Sequence, residues 1–121
     1  VVYQIKDDCI VFGPTTTVSG FTFATNTVNS KYVAYVVGEN IGSYDFTIQY
    51  GVSTIGYSVE QVVGSGTGRI SYETQSTTAG VPFITSIKQN SANTEQGIFI
   101  GNHSGSGLEY KISKVSLILY S

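Results

Sequence analysis

Apolar and polar residues alternate in short bursts along this chain, each burst broken by Gly, Ser, Asn or Thr, and a period of two belongs to strands with one buried face. No segment repeats its apolar positions at the helical interval. Val1, Tyr3 and Ile5 open the pattern, and after Lys6-Asp7-Asp8 a second run, Cys9 to Phe12, meets Gly13-Pro14, a pair read here as a turn. Phe21 and Phe23 flank Thr22 in a short strand, and Tyr32 to Val37 reads as a strand buried on both sides or at an interface. In Tyr44-Asp45-Phe46-Thr47-Ile48-Gln49-Tyr50 the apolar residues face one way and the polar residues the other. Further strands are expected at Tyr57 to Val63, Arg69 to Thr74, Pro82 to Lys88 and Gly97 to Ile100, with residues 64–68 as a flexible hairpin link. In the closing strand, Tyr110 to Tyr120, the apolar phase changes: Tyr110 and Ile112 are even, Val115, Leu117 and Leu119 odd. A β-bulge near Ser113-Lys114 reconciles the two halves.

Short strands at roughly ten-residue spacing, with no helices to carry parallel crossovers, predict an all-β fold, an antiparallel β-sandwich or barrel. Composition agrees: 26 residues are Val or Ile, against three Leu and four Ala, so stiff β-branched side chains stand where helix formers would. The 121 residues are expected to form one domain, 1–121. A chain that starts at Val1, already strand-like, and stops just after its last strand is expected to be excised from the carboxyl terminus of a longer polypeptide.

Six basic and eight acidic residues give a net charge of −2 without any basic run, which argues against nucleic acid and anionic membrane as partners. The apolar runs are far shorter than the roughly 20 residues a membrane helix needs. Cys9 has no second cysteine to pair with and reads as a small core filler. Low charge and abundant Ser, Thr, Tyr and Asn suit a secreted, extracellular surface.

Candidate chemistry is thin. His103 is the sole imidazole and lies in the glycine-rich run from Gly101 to Gly107, a setting that suits ligand contact better than fixed acid–base work. Asp7 and Asp8 are the only adjacent carboxylates; they suit a turn, or weakly a calcium site, since no D-x-D-x-D loop supplies further oxygens. One Cys and one His fall short of a transition-metal set. No cofactor is required, calcium being the one candidate, and the chain is not expected to be an enzyme. The plentiful class is aromatic, nine Tyr and six Phe with no Trp. Tyr44, Phe46, Tyr50, Phe83 and Tyr110 lie on strand periods and read as core, whereas Tyr32, Tyr35, Tyr57 and Tyr72 lie nearer strand edges, where a flat ring with a hydroxyl suits recognition.

The run Tyr32 to Val36, then Gly42-Ser43-Tyr44-Asp45-Phe46-Thr47-Ile48-Gln49-Tyr50, resembles the middle of carbohydrate-binding-module jelly rolls. Ile112-Ser113-Lys114-Val115-Ser116-Leu117 is similar to the final strand of those modules and of the third domain of insecticidal crystal toxins. Two departures accompany the likeness: the last-strand position where calcium-binding members place an acidic residue is Ser113, and the Trp common in sugar clefts is absent. A module of this shape with a Ser/Asn/Tyr-rich surface looks most like the C-terminal receptor-binding domain of the cell-binding component of clostridial binary ADP-ribosylating toxins. That resemblance implies a jelly roll that docks a host cell-surface receptor protein, its parent chain forming a homo-oligomeric pore.

The expected function is therefore non-catalytic receptor binding by a secreted toxin domain. The alternatives are a glycan-binding module appended to a secreted glycoside hydrolase and a structural phage or capsid sandwich. The residues expected to bind are Asn29, Tyr32, Tyr35, Tyr57, Asn102 and His103, on loops or sheet edges where a rigid scaffold holds variable side chains. Truncation of Tyr57 or Tyr32 is expected to weaken binding by more than about 1 kcal/mol without unfolding the domain.

Overall fold

The structure is a computed structural model and describes residues 3–15, 18–24, 31–89, 95–103 and 107–120. Nine strands run in chain order: β1 (Tyr3–Lys6), β2 (Cys9–Thr15), β3 (Ser19–Ala24), β4 (Lys31–Asn40), β5 (Phe46–Thr54), β6 (Arg69–Thr77), β7 (Pro82–Gln89), β8 (Gln96–Asn102) and β9 (Leu108–Tyr120). They form two antiparallel sheets, ordered β1-β2-β9-β4-β7 and β3-β8-β5-β6. Setting β1 aside, the remaining eight strands have the two interlocking Greek keys of a jelly roll, so the expected all-β sandwich is the observed one.

Alternation puts one set of side chains from each sheet into a shared core. Phe12, Ala34, Val36, Phe83, Ile87, Tyr110 and Ile112 of the first sheet meet Ile48, Val52, Ile98 and Ile100 of the second. The ring of Tyr110 stacks 5.0 Å from that of Phe12, and its hydroxyl shares a 2.8 Å hydrogen bond with Ser19 Oγ across the two sheets. Desolvation in this packing raises the phenol's pKa well above its ordinary value. Asn40, fully buried, organises the far end: its Nδ2 donates to the Tyr44 carbonyl (2.8 Å) and to Thr77 Oγ1 (3.1 Å), while its Oδ1 accepts from Gly42 N–H (3.1 Å).

The bulge expected in the last strand is present: Val37 pairs with Lys114 and Gly38 with Ile112, so Ser113 is the extra residue. Asp7 and Asp8, with φ of +53° and +60°, form the two-residue turn of the β1–β2 hairpin.

Four expectations need correction. Gly13-Pro14 does not end its strand; β2 continues to Thr15, with a register irregularity between Phe12 and Thr15. Tyr44 is 60% exposed and precedes β5, because Asn40 has already closed a turn onto its carbonyl. Cys9 falls in phase with Val11, on the outer side of its sheet and half-buried, since Ile10 and Phe12 take the core positions. The segment read as a strand from Tyr57 to Val63 is instead a turn leading into a short helical segment of π type, Glu60–Ser65. Ser58 begins that segment with reciprocal bonds to Gln61: Ser58 N–H donates to Gln61 Oε1 (2.9 Å) and Gln61 N–H donates to Ser58 Oγ (3.3 Å). Val62, Val63 and Phe99, with Val18 and Val59 against them, make a second small core on the outer side of the four-stranded sheet.

Candidate functional site

The outer side of the four-stranded sheet is low and flat beside that helical segment. Gln49 pairs with Gly101, Gly51 with Phe99 and with Tyr72, so glycines alternate with larger side chains along this surface. A Cβ on Gly51 would collide with the Ser71 carbonyl, and one on Gly101 with the Ser19 carbonyl, so both positions require glycine for close backbone approach.

Against this floor stands Arg69, the chain's only arginine. Its Nε donates to the Val62 carbonyl (2.8 Å), and its Nη2 donates to the Val63 carbonyl (3.0 Å) and to Gln49 Oε1 (2.8 Å). The guanidinium caps the open end of the helical segment, lies 4.1 Å from the ring centroid of Tyr72, and is held rigidly while Nη1 takes no part in these bonds. Tyr72 is 44% exposed. Together with Ser65, Gly66 and His103 these residues line a cleft of about 220 Å³. It offers an aromatic ring, a fixed cation with spare N–H donors, an amide whose oxygen is already engaged, a hydroxyl and an imidazole. That set can hydrogen-bond and stack; it holds no carboxylate to act as acid, base or nucleophile.

A second cleft, of about 440 Å³, lies under the overhanging β1 and is lined by Tyr3, Ile5, Ile10, Phe12 and Phe21, with Val59 and Glu60. It is almost wholly apolar and continues the core outward, with little to orient a polar ligand.

The residues expected to bind are scattered. Of the five that are described, His103 alone lines the Tyr72 cleft. Tyr57 lies against Gly68 and lines a separate, smaller cleft of about 120 Å³. Tyr35 projects from the outer face of the other sheet, 40% exposed. Asn102 is 5% exposed; its Nδ2 donates to the Thr47 carbonyl (2.7 Å), and its Oδ1 has no hydrogen-bond partner among the described residues. Tyr32 is 8% exposed and in phase with Ala34 and Val36 on the core side of β4, so it packs the interior instead of forming an edge anchor. Asn29 lies outside the described residues. Asp7 and Asp8 occupy their hairpin turn, and among the described residues no three or more His, Cys, Asp or Glu side chains gather as metal ligands.

Gln49, Ser65, Arg69 and Tyr72 were not selected together by sequence. Tyr72 was recognisable as an edge aromatic, and the signals for its neighbours were the lone arginine three residues earlier and the Ser58-Val59-Glu60-Gln61 capping pattern of the helical segment that Arg69 caps.

In three dimensions the chain is similar to a solved structure described as "CBM4 structure and function", a carbohydrate-binding module. The TM-score is 0.67 at 8% identity, over 98% of this chain and 76% of that one. At that identity the likeness is one of fold. No protein-family model matches the chain, and no curated protein matches its sequence. The carbohydrate-binding-module half of the sequence resemblance thus has a structural counterpart, and the toxin half has none in these comparisons.

Proposed function

We propose that the chain is a non-catalytic glycan-binding module, and that the cleft around Tyr72 is its saccharide site. The observation that supports this most is the fixed Arg69 guanidinium, which lies over one face of the Tyr72 ring while that residue stays 44% exposed, with Gln49, Ser65 and His103 around it. Sugars present hydroxyls in pairs and a weakly apolar ring face. A rigid donor next to an aromatic surface meets both at little entropic cost. The jelly-roll likeness to a carbohydrate-binding module is consistent with the reading. It requires no cofactor, and a module of this kind works outside the cell, tethering whatever it is joined to onto a polysaccharide. Receptor docking by a toxin domain, the first expectation from sequence, has less behind it than its glycan-binding alternative.

The test is affinity electrophoresis and calorimetry against soluble β-glucans, xylans, mannans and galactans. Binding to at least one class is expected, weakened tenfold or more by Tyr72→Ala and by Gln49→Ala, and unchanged by Tyr35→Ser on the opposite sheet. A panel without any binding, or binding indifferent to Tyr72 and Gln49, would overturn the proposal.

A further inference from the structure

All five lysines of the chain fall on one surface. Register places Lys31 in phase with Val33 and Tyr35 on the outer face of β4, Lys88 opposite Val33, Lys114 opposite Val37, Lys111 opposite Glu39, and Lys6 opposite Cys9. This is the outer face of the five-stranded sheet, remote from the Tyr72 cleft. The carboxylates that share its phase are Glu39, which lies 3.9 Å from Lys111 Nζ, and Glu109. Lys6 is flanked by Asp7 and Asp8 in the same hairpin and adds no net positive charge. The other four lysines against Glu39 and Glu109 leave the face at +2, and the rest of the molecule, Lys6 and Arg69 against six carboxylates, is at −4, the sum being the chain's −2.

The centre of this face is a grid of nine side chains. Across β9, β4 and β7 the rows read Lys114–Val37–Ile84, Ser116–Tyr35–Ser86 and Ile118–Val33–Lys88. Tyr35 is the middle of the grid, the exposed isoleucines (Ile84 at 63%, Ile118 at 52%) occupy two opposite corners, and lysines occupy the other two. Apolar side chains therefore run diagonally across a flat surface, with cations on either flank. Exposed apolar residues concentrated this way on a soluble-type sandwich mark a contact surface, and an apolar centre with a charged rim is the anatomy of a protein interface. The five strands are 4, 7, 13, 10 and 8 residues long in sheet order, which at about 4.8 Å between strands and about 3.3 Å per residue gives a face of about 670 Å², of the order of the roughly 800 Å² per partner of a standard interface.

We propose that this face docks an acidic protein surface, one that presents carboxylates around an apolar patch. A second copy of the chain is excluded as occupant, because face-to-face pairing would set two surfaces of like net charge against each other. A sulfated polysaccharide would use the lysines and leave the isoleucines exposed. A lipid bilayer would need a continuous apolar surface, whereas here Lys114, Lys88, Ser116 and Ser86 share the nine-residue grid with the exposed Tyr35, Ile84 and Ile118. The inference is independent of the glycan reading, since it concerns the opposite sheet.

A matched probe can be made from the chain itself. Lys31→Glu, Lys88→Glu and Lys114→Glu together give the grid an acidic rim around an unchanged apolar centre. Sedimentation velocity at 50 mM NaCl is expected to show wild type alone and the triple variant alone as monomers and their mixture as a heterodimer. The heterodimer should weaken tenfold or more when Tyr35→Ser or Ile84→Ser is placed in the wild-type partner, and should be lost at 1 M NaCl. Thermal melts of each variant confirm that it is folded. A mixture that stays monomeric would overturn the proposal. So would a heterodimer indifferent to Tyr35 and Ile84, or binding to heparin or phosphatidylserine vesicles that is tighter than the heterodimer and unaffected by those two substitutions.

Discussion

Tyr110 shows how one side chain can hold a sandwich together and make it sensitive to alkali. Its ring is wholly buried between the sheets and its hydroxyl pairs with Ser19 Oγ, itself buried. Tyr110→Phe keeps the ring and strands the serine, an expected loss of about 1–2 kcal/mol at pH 7 by urea denaturation. At high pH the order changes. Burial raises the folded-state pKa of this phenol above the unfolded value, so above about pH 10 the unfolded chain releases a proton that the folded chain retains. Its contribution to stability is complete below the unfolded pKa and falls by about 1.4 kcal/mol per pH unit above it. The phenylalanine variant lacks this loss, so its deficit should shrink steadily between pH 10 and 11.5. A deficit constant over that range would refute the assignment. At this scale the sequence was partly legible. The period of two put Tyr110 and Phe83 in the core, where they are. It failed for Tyr44, because a buried asparagine four residues earlier forms a turn that alternation does not register; Tyr32 was lost by assigning it to an edge against the alternation, which puts it in phase with the buried Ala34 and Val36.

Elements were read best where the phase of alternation was itself informative. The change of parity in β9 foretold the bulge, and the structure places the extra residue at Ser113, whose Oγ donates to the Val37 carbonyl at 3.2 Å. Deleting Ser113 leaves Ile112 and Val115 separated by Lys114 alone, which restores regular alternation with the same residues facing inward. The variant is expected to fold with its melting temperature lowered by no more than about 4 °C, the equivalent of about 1 kcal/mol. Deleting Ser116 has the opposite effect, making Val115 and Leu117 adjacent and turning everything beyond to the wrong face; collapse or aggregation is expected. Equal outcomes in a melting scan would show that the bulge does not set the register. The helical segment was misread for a physical reason: Val59, Val62 and Val63 have strand-forming side chains at helical spacing, and packing against Phe99 outweighed their intrinsic preference. Its start signal was nevertheless written in Ser58 and Gln61. Ser58→Ala should cost about 0.5–1 kcal/mol in urea denaturation and loosen the segment that seats Arg69. Because the cleft depends on this segment, misreading it as a strand also hid the grouping of Gln49, Ser65 and Arg69.

The whole molecule is electrically lopsided in a way that neither its net charge nor its sequence pI of about 5.1 conveys. The sequence scatters its five lysines over more than a hundred positions, and only the register of four strands reveals that they share one side. Sheets pack about 10 Å apart, so the lysines of β4, β7 and β9 are separated from Glu60, Glu73 and Glu95, which go with the four-stranded sheet, by more than the Debye length of about 10 Å at 0.1 M salt. At that ionic strength each side is felt almost independently. The chain should therefore be retained by a sulfonate cation exchanger at pH 7 despite its formal charge of −2. Lys88→Gln with Lys114→Gln should abolish the retention. Glu60→Gln with Glu95→Gln, which makes the net charge more positive by two on the side of the four-stranded sheet, should lengthen it little. If retention instead followed net charge alone, wild type at −2 and the second pair at 0 would both pass through unretained. The lysine face would then be too weakly concentrated to select a partner by charge.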